Sequence, residues 1–434
     1  MKIDYNLDGY SYITDDTLKI AEDTQFLLTT QNSKYFEKLA INPSVITPKE
    51  LIEKWNLDTI KAVGVTGTNG KTTVTAGIYS FLLDLGEKVA LQGTRGFFAN
   101  EERIEDKSMT TPSILEILHN MKIAKDKDCD YFIMEVSSHA IDQERIEGIS
   151  FALKIHTNVT SDHLDYHKTV EEYRAVKSRF FADESPKLLN KDDIKNITYN
   201  FIGAQSYGVD EPATFKVQAF SLKHGIIAGI KHLSKEATFQ SPMVGLFNLF
   251  NLMAAVGATT MLTGRDITEV CEVVSNFAGV AGRMEVVSTN PLVIVDFAHT
   301  DDGMLQVLDS MKDRDISVVF GAGGNRDEGK RPRMGAVAAK FAKKVYVTND
   351  NPRDEKPEDI INDILSGIKD QSYVRAMVDR AFAIQEALRE LGDDEVLMIL
   401  GKGDEDTMEI AGQKIHFDDR EVVRALLQER EEVK

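Results

Sequence analysis

Apolar runs and helical periods alternate along most of the chain from about residue 58. Short β-rich runs such as AVGVTG (62–67), KVALQG (88–93) and YFIMEVSS (131–138) are each followed by helical spacing, first from Lys71 and later after Pro112. This alternation predicts a mostly parallel sheet covered by helices, which is an α/β fold. Residues 213–244 break the rhythm with short alternating runs, so they predict a small antiparallel excursion before a helix that begins at Leu246.

The alternation restarts after residues 279–283 in a new series of β-rich runs: PLVIVDFAHT, ISVVFGAGG, KKVYVTND, YVRAMVD and EVLMILGKG. This second series predicts a second α/β domain. The first 57 residues are too few for a large core of their own. The predicted organisation is therefore 1–57, 58–282 and 283–434.

Composition narrows the class of protein. The 434 residues are 42% hydrophobic and 28% charged, as in ordinary globular proteins, and the net charge of −19 argues against binding nucleic acid or anionic membrane over the whole surface. Two cysteines, Cys129 and Cys271, provide neither a disulfide framework nor a thiolate metal site. No stretch resembles a signal peptide or the run of about 18 apolar residues that a membrane helix needs. We therefore expect a cytoplasmic protein without a membrane span or a nucleic-acid partner.

A phosphate-binding turn is predicted at GTNGKTT (67–73), between a strand and a helix. Gly67 and Gly70 let backbone amides face a phosphate, Lys71 can reach terminal phosphates, and the Thr72 hydroxyl can bind Mg²⁺. The turn departs from the pattern G-x-x-x-x-G-K-[ST] because Val65 stands at the position of the first glycine. The alternative is a glycine turn with an incidental lysine.

Two polar segments, EVSSHA (135–140) and TNVTSDHLDYH (157–167), directly follow apolar runs. Because carboxyl ends of strands collect ligand groups in open α/β sheets, Glu135 is a candidate metal ligand and His163 a candidate imidazole nearby. Taken alone, each residue is more typical of a capping carboxylate or a hydrogen-bonded histidine than of a metal site. Lys177 lies mid-helix among apolar and aromatic residues, where chemistry alone favours a snorkelling surface lysine.

A set of motifs, in this order and spacing, resembles the Mur ligases, the ATP-dependent amide-forming enzymes of peptidoglycan precursor synthesis. The motifs are GTNGKTT, EVSSHA, TNVTSDHLDYH, YRAVK, LFNLFN, GVAGRME, DFAHTDDG, FGAGGNRDEGKRP, DNPR and GKGDE. The resemblance implies a three-domain architecture: a small N-terminal UDP-substrate domain, a central P-loop ATPase domain with a parallel sheet, and a C-terminal Rossmann-like domain. DNPR (350–353) resembles the version that adds meso-diaminopimelate rather than the lysine version.

The resemblance implies that ATP phosphorylates the D-glutamyl carboxylate of UDP-MurNAc-L-Ala-D-Glu and that the amine of meso-diaminopimelate attacks the acyl phosphate. Mg²⁺ is the implied cofactor, and a monomer is expected. The implied catalytic residues are Lys71, Glu135, His163 and Lys177. The implied metal ligands are Thr72, Glu135, His163 and Lys177, the last as a carbamate. The implied ATP-binding residues are Gly67, Thr68, Asn69, Gly70, Lys71, Thr72, Thr73, Asn248, Asn251, Arg283, Asp296 and His299.

The resemblance also assigns two substrate sites. The residues implied for the UDP-substrate are Thr110, Thr111, Ser137, Gln143 and Arg145. Without the resemblance, these would be a helix cap and a surface arginine. The residues implied for diaminopimelate are Arg326, Asp350, Asn351, Arg353, Gly401 and Glu405. A guanidinium at Arg353 suits the second carboxylate of this diamino acid, whereas DNPR in isolation is also typical of a proline turn with a solvated arginine.

Several positions depart from the family pattern. They are Phe297, Asp301, Ala322, Asn325 and Asp404, and the N-terminal segment is short and lacks recognisable uridine signals. Two alternatives are another ligase of this type, such as a folylpolyglutamate synthase, and a degenerate nucleotide-binding scaffold. A P-loop ATPase coupled to motion is a third, but the chain lacks a clear apolar run that ends in a metal-binding aspartate.

Overall fold

The computed structural model describes residues 1–39, 43–106, 109–160, 164–223 and 225–432. The chain divides into two compact units. The first unit comprises Met1–Ser221, Ile227–Ser241 and Asn248–Phe277, and the second comprises Leu222–Ile226, Pro242–Phe247 and Ala278–Lys434. The phosphate-loop motif therefore lies in the first unit and DNPR lies in the second.

The first unit begins with a small sheet of its own. Its elements are β1 (Lys2–Leu7), β2 (Tyr10–Thr14), β3 (Thr24–Leu27), α1 (Ser33–Phe36), β4 (Val45–Ile46) and α2 (Pro48–Trp55). The strands lie in chain order, antiparallel at β1–β2 and parallel after that. Ile13 and Leu27 of this sheet belong to the same buried cluster as Ile117 and Leu118. The short N-terminal segment thus shares a core with the residues that follow it.

An 11-stranded sheet forms the centre of the first unit, in the order β15-β14-β13-β12-β11-β10-β5-β9-β6-β7-β8. Its strands are β5 (Lys61–Thr66), β6 (Val89–Gly93), β7 (Gly96–Ala99), β8 (Glu102–Glu105), β9 (Tyr131–Glu135), β10 (Phe151–His156), β11 (Lys187–Asn190), β12 (Ala204–Gly208), β13 (Phe215–Ser221), β14 (Ile226–His232) and β15 (Lys235–Ser241). The seven consecutive strands from β13 through β5 to β6 pair in parallel. The pairings β13–β14, β6–β7 and β7–β8 are antiparallel. The predicted antiparallel excursion is therefore confirmed.

The helices that follow β5 in this unit are α3 (Lys71–Asp84), α4 (Ile114–Asp126), α5 (Ser138–Asp142), α6 (Leu164–His167), α7 (Val170–Arg179), α8 (Leu246–Thr263) and α9 (Ile267–Val273). The sequence predicts α3, α4, α7 and α8, whereas the short helices α5, α6 and α9 were not predicted. Short 3₁₀ turns occupy Thr17–Lys19, Leu57–Thr59, Ile194–Asn196 and Val274–Asn276. Val65 pairs with Glu135 and Thr66 pairs with His156, so β9, β5 and β10 end at the same edge of the sheet. The loops that carry the predicted site begin at that edge.

Helix α8 is apolar because it packs in the core. Its 18 residues have a mean hydropathy of 1.4, so by length and composition it could cross a membrane, contrary to the expectation from the sequence. However, 67% of the helix is buried inside the protein. A helix buried in a protein core is expected to be apolar on all sides, so burial in the core explains the apolar composition of α8.

The second unit is built on a six-stranded sheet in the order β16-β17-β21-β18-β19-β20. Its elements are β16 (Glu285–Thr289), β17 (Leu292–Asp296), α10 (Asp301–Asp309), β18 (Asp315–Phe320), α11 (Lys330–Phe341), β19 (Lys344–Val347), α12 (Pro357–Ser366), β20 (Val374–Ala376), α13 (Arg380–Arg389), β21 (Glu395–Leu400), the hairpin β22 (Thr407–Ile410) and β23 (Gln413–His416), and α14 (Asp419–Glu432). Within the six-stranded sheet every pairing is parallel except β16–β17, and the separate hairpin β22–β23 is antiparallel.

Both faces of this second sheet are covered. Ile294 of β17 belongs to one buried cluster, whereas its neighbours Val293 and Val295 belong to another. Alternate side chains of one strand therefore enter two cores, as in doubly wound folds. The predicted α/β fold class is confirmed, and the three-domain bounds 1–57, 58–282 and 283–434 stay a prediction.

Candidate active site

The phosphate loop joins β5 to α3. Gly70 precedes the first helical residue with a φ of +86°, a conformation that favours glycine. The Lys71 ammonium donates to the carbonyls of Gly67 at 2.8 Å and Thr68 at 2.9 Å, and Thr73 is buried one turn into the helix. The lysine thus closes the loop at a helix N-terminus, where free amides and the helix dipole attract phosphate.

Both loop glycines are in close contact with neighbouring segments. A Cβ atom on Gly67 would lie 1.8 Å from Oγ1 of Thr157, and a Cβ atom on Gly70 would lie 2.3 Å from Oδ1 of Asn251. Asn251 in turn donates from Nδ2 to Oδ1 of Asn248 at 3.1 Å. The two predicted asparagines of α8 therefore lie together against the phosphate loop, and neither glycine position has room for a side chain.

Three further residues hold the loop, and sequence reasoning missed them. The Thr157 hydroxyl donates to the carbonyl of Asn69 at 2.6 Å, while the amide of Asn69 donates to Oδ1 of Asn158 at 2.9 Å. The hydroxyls of Tyr173 and Thr68 lie 3.1 Å apart. Thr157 and Asn158 directly follow β10, so their place at the carboxyl end of a strand was an available signal.

Glu135 and Thr72 meet at the end of β9. The Thr72 hydroxyl donates to Oε2 of Glu135 at 3.0 Å, and Glu135 is only 1% exposed. Thr94, which sequence reasoning also missed, donates from its amide to Oε1 at 2.9 Å and from its hydroxyl to Oε2 at 3.3 Å. The carboxylate is therefore fixed from two sides, with its oxygens beside the phosphate loop.

The position of Glu135 depends on a glycine beside it. A Cβ atom on Gly93 would lie 2.3 Å from Oε1 of Glu135, so Gly93→Ala should displace the carboxylate. We expect about a tenfold loss of ATP-dependent turnover, as when a group that orients a metal ligand is lost. Steady-state kinetics measures the loss. Gly229→Ala is the control because its nearest contact would lie 3.9 Å away, and equal activities of the two variants would contradict this view of Gly93.

Lys177 lies inside the protein and not on its surface. Its side chain is 1% exposed, and Nζ donates to the carbonyl of Gly67 at 2.9 Å and lies 3.4 Å from Oγ1 of Thr66. The ammonium also lies 4.8 Å from the centre of the Tyr173 ring. The interpretation of a snorkelling surface lysine is therefore wrong, because the apolar face of α7 turns inward. The other predicted residue of this region, His163, lies outside the described residues.

The residues present suit a magnesium ion bound together with phosphates. Mg²⁺ prefers oxygen ligands and usually takes only one or two protein carboxylates beside water and phosphate oxygens. Thr72 and Glu135, 3.0 Å apart, provide such oxygens, whereas no cluster of three or more His, Cys, Asp or Glu residues occurs in the described part of the chain. Lys177 as an ammonium has no lone pair for a cation, and Mg²⁺ prefers oxygen ligands, so its predicted place among the ligands requires the carbamate form.

The residues predicted for the UDP-substrate lie together beyond the end of β9. The amide of Ser137 donates to the Thr111 hydroxyl at 2.9 Å. Ser137 also caps α5, which is the helix-cap role expected of it without the family resemblance. Arg145 donates from Nη1 to the carbonyl of Thr111 at 2.8 Å and from Nη2 to Oε1 of Gln143 at 2.6 Å. This half-buried guanidinium is held in place, unlike a solvated surface arginine.

Two contacts connect this cluster with other segments of the first unit. The hydroxyls of Thr110 and Thr94 lie 3.1 Å apart, so the cluster adjoins the carboxylate that Thr94 holds. The side-chain amide of Gln31 donates from Nε2 to Oε1 of Gln143 at 3.4 Å. Sequence reasoning assigned no residue of the N-terminal segment, and nothing in the motif pattern singles out Gln31.

In the second unit, Asp296 ends β17 with its carboxylate buried. The amides of Met284 and Ala298 each donate to it at 2.7 Å. Burial raises the pKa of Asp296, and the positive charge of Arg283 and these two amide contacts act in the opposite direction. The side chain of His299 is exposed three residues later. The structure therefore brings Arg283 and Asp296 together.

The residues predicted for diaminopimelate include a buried turn after β19. Asn351 donates from Nδ2 to Oε2 of Glu405 at 2.9 Å, and its amide donates to Oδ1 of Asp350 at 2.7 Å. A Cβ atom on Gly401 would lie 2.7 Å from Oδ2 of Asp350. Asn351 therefore contacts both Asp350 and Glu405, and Gly401 lies beside Asp350.

Arg353 and Arg326 lie beside the same glycine. A Cβ atom on Gly323 would lie 3.0 Å from Nη1 of Arg353 and 3.8 Å from Cγ of Arg326. Arg353 donates from Nη1 to the carbonyl of Gly324 at 2.7 Å, and its Nε lies 3.2 Å from Oε2 of Glu409. With 23% of its side chain exposed, Arg353 is ordered and still accessible, unlike the solvated arginine of a simple turn.

Comparisons with known proteins agree with this arrangement. A family model described as Mur ligase middle domain matches residues 65–259, and one described as Mur ligase, glutamate ligase domain matches residues 282–403. The chain is 51% identical over 99% of its length to a protein of Wolinella succinogenes, of which 99% is covered, named UDP-N-acetylmuramoyl-L-alanyl-D-glutamate–2,6-diaminopimelate ligase.

Two further similarities extend the comparison. A protein of the same name from Helicobacter hepaticus is 50% identical, with 93% of this chain and 90% of that protein covered. A solved structure of a UDP-N-acetylmuramoyl-L-alanyl-D-glutamate–2,6-diaminopimelate ligase is 28% identical and has a TM-score of 0.70, with 96% of this chain and 95% of that chain covered. The likeness therefore extends over both units.

Proposed function

Because this chain belongs to the Mur ligase family, we propose that it joins meso-2,6-diaminopimelate to UDP-MurNAc-L-Ala-D-Glu at the expense of ATP. The similarity to proteins of that name over nearly the whole length supports this reaction. It favours the diaminopimelate ligase over a folylpolyglutamate synthase, over other Mur-type ligases and over a degenerate scaffold. In this reaction the product amide belongs to a peptidoglycan precursor.

The first step needs phosphate binding more than a strong base. A D-glutamyl carboxylate oxygen attacks the γ-phosphorus of ATP, the bond to the β-γ bridging oxygen breaks, and ADP leaves. The attacking oxygen already carries charge, so positioning and neutralisation of the phosphates account for most of the catalysis. Lys71, released from the carbonyls that it now contacts at 2.8 and 2.9 Å, would reach the β- and γ-phosphates.

Thr72 and Glu135 would hold Mg²⁺, which supplies positive charge beside the β- and γ-phosphates when bound. In the same region, Lys177 would act as a metal ligand in the form of a carbamate. Its uncharged amine forms a bond to the carbon of CO₂ and loses one proton, which leaves a carboxylate-like group. The side chain is buried beside the phosphate loop, with Nζ 2.9 Å from the carbonyl of Gly67, so a carbamate formed there would lie at the proposed magnesium site. His163 stays a predicted ligand.

The UDP-substrate would lie at the cluster that follows β9. Thr111, Ser137 and the anchored Arg145 offer two hydroxyls and a guanidinium, which suit the carboxylate and diphosphate groups of this substrate. The hydroxyl of Thr110 lies 3.1 Å from that of Thr94, which also holds Glu135. This proximity would place the carboxyl end of the peptide near the phosphate-binding residues.

The second step forms the amide. The amine of diaminopimelate attacks the acyl carbon, phosphate leaves with the bonding electron pair, and the attacking nitrogen loses a proton. The observation that carries the choice of diamino acid is the accessible guanidinium of Arg353 in the same unit as the Asn351–Glu405 pair. Together these residues would bind a carboxylate and an ammonium.

Several properties follow from the proposed reaction and stay predictions. We propose that the enzyme works in the cytoplasm, where both nucleotide substrates occur, as a monomer without a nucleic-acid partner. By resemblance to the family motifs, Asn248 and Asn251 stay predicted ATP-binding residues of the first unit, and Arg283, Asp296 and His299 stay predicted ATP-binding residues of the second.

The decisive experiment is phosphate release from ATP by purified protein with Mg²⁺ and UDP-MurNAc-L-Ala-D-Glu. Three parallel reactions contain meso-diaminopimelate, L-lysine or no amino acid. We expect far more release with diaminopimelate than with lysine, because lysine lacks the second carboxylate that Arg353 would bind. Equal release with lysine would refute the assignment of the amino acid. No release in any reaction would refute the ligase assignment itself.

A further inference from the structure

Lys402 is a buried lysine in the second unit, at the turn that follows β21. The glycines on either side of it have φ values of +113° at Gly401 and +56° at Gly403. A Cβ atom on Gly403 would lie 2.7 Å from Cβ of Phe297, so position 403 has no room for a side chain. The two glycines allow the tight turn, and the Lys402 side chain is completely buried, with 0% exposure.

The ammonium of Lys402 has three acceptors. Its Nζ donates to the carbonyl of Thr407 at 2.7 Å and to Oε2 of Glu405 at 3.1 Å, and it lies 3.5 Å from Oδ1 of Asn351. An ammonium has three donors, so these contacts match its capacity. Two of the acceptors belong to side chains that the diamino acid would contact under the proposed function.

The two oxygens of Glu405 have different surroundings. Oε2 accepts from Lys402 at 3.1 Å and from Nδ2 of Asn351 at 2.9 Å. Oε1 has no hydrogen-bond donor within the described ranges, and 34% of the side chain is exposed. One oxygen is therefore anchored by two neighbouring side chains, whereas the other accepts no hydrogen bond from the described residues.

We propose that Lys402 is a positioning residue of the diamino-acid site, which holds Glu405 and Asn351 so that Oε1 of Glu405 meets the ammonium of the incoming amino acid. This inference rests on the proposed function. Lys402 does not touch the substrate, since it is completely buried behind the two side chains that do. Lys402 would lower the entropic cost of binding, because a carboxylate that is already held in one rotamer loses little further conformational freedom when the ligand binds.

The test is Lys402→Met in the full-length protein, with phosphate release as the assay. Loss of the anchor frees a rotamer-rich side chain, so the KM for diaminopimelate should rise about fivefold to tenfold. The KM for ATP and kcat should change less than twofold. Lys344→Met is the control because Lys344 is a half-buried lysine of the same unit that donates to the carbonyl of Glu390.

A double-mutant cycle separates positioning from general structural damage. If Lys402 acts through Glu405, Lys402→Met should add almost nothing in a Glu405→Gln background, because both changes disable the same carboxylate. Additive effects would overturn the proposal, and so would an equal rise in the KM for ATP. Should Lys402→Met have a lowered melting temperature, Lys402→Gln keeps a hydrogen-bond donor on a shorter side chain, and the same cycle applies to it.

The outcomes also separate this inference from the proposed function. A wild-type protein without diaminopimelate-dependent phosphate release would overturn the proposed function and the role of Lys402 with it. A diaminopimelate-dependent wild type with an unchanged KM in Lys402→Met would overturn the positioning role alone.

Discussion

Lys177→Ala should lower diaminopimelate-dependent phosphate release by about 100-fold or more, since even groups that only orient a metal ligand cost 10- to 100-fold when they are lost. The Nζ atom lies 2.9 Å from the carbonyl of Gly67 in a site with 1% exposure. As a carbamate, Lys177 would add negative charge beside the phosphate loop, and alanine removes that group without removing the loop. Added acetate should restore part of the activity by occupying the space of the lost group.

Lys187→Ala is the matched control for this variant. Lys187 is also fully buried in the first unit, but it donates to the carbonyls of Asp183 and Ile202 at 2.9 and 2.8 Å, away from the phosphate loop. It should lose stability in a thermal melt and keep its turnover per folded molecule. Carbon-13 NMR with labelled bicarbonate should show a carbamate signal in the wild type that Lys177→Ala lacks. Undiminished activity of Lys177→Ala would refute the catalytic role.

The sequence predicted those parts of the candidate site that lie within one short segment. The loop from Gly67 to Thr72 and the strand end at Glu135 could be found because each directly follows an apolar run. Thr94 could not, since its contact with Glu135 joins residues 41 positions apart and depends on how β6 and β9 pair. Asn158 differs from Thr94, because its place after β10 was an available signal, although its partner Asn69 lies 89 positions away and is shown only by the fold.

Burial was harder to predict than secondary structure. The alternation of strands and helices gave the α/β class, since it follows from local periodicity. The depth of Lys177 and Lys402 depends instead on which residues of other segments cover them. For Lys402 the two flanking glycines were visible in the sequence, but only the fold shows that they place the ammonium against Glu405. Helix α8 illustrates the same limit, because apolar composition alone does not distinguish a core from a membrane.

Arg353→Ala should raise the KM for diaminopimelate by about 10- to 150-fold. This factor corresponds to the loss of one charged hydrogen-bonded pair, which contributes about 1.5 to 3 kcal/mol. Arg353 donates to the carbonyl of Gly324 at 2.7 Å, which fixes the guanidinium. Glu409 lies 3.2 Å from Nε, but its side chain is 36% exposed, so water screens this ion pair. Enough positive charge is therefore left to bind the second carboxylate of the diamino acid.

Comparison of two amino acids makes this expectation specific. L-Lysine lacks the second carboxylate, so its use should change little in Arg353→Ala, and the preference for diaminopimelate over lysine should fall by nearly the factor lost in KM. Arg389→Ala is the control because Arg389 is 61% exposed and pairs with Glu386 on the same helix. If Arg353→Ala raised the KM values for diaminopimelate and ATP equally, the guanidinium would stabilise the fold of the second unit and would not bind diaminopimelate. An effect confined to diaminopimelate would instead identify Arg353 as the residue that distinguishes an amino-acid centre from a plain ammonium.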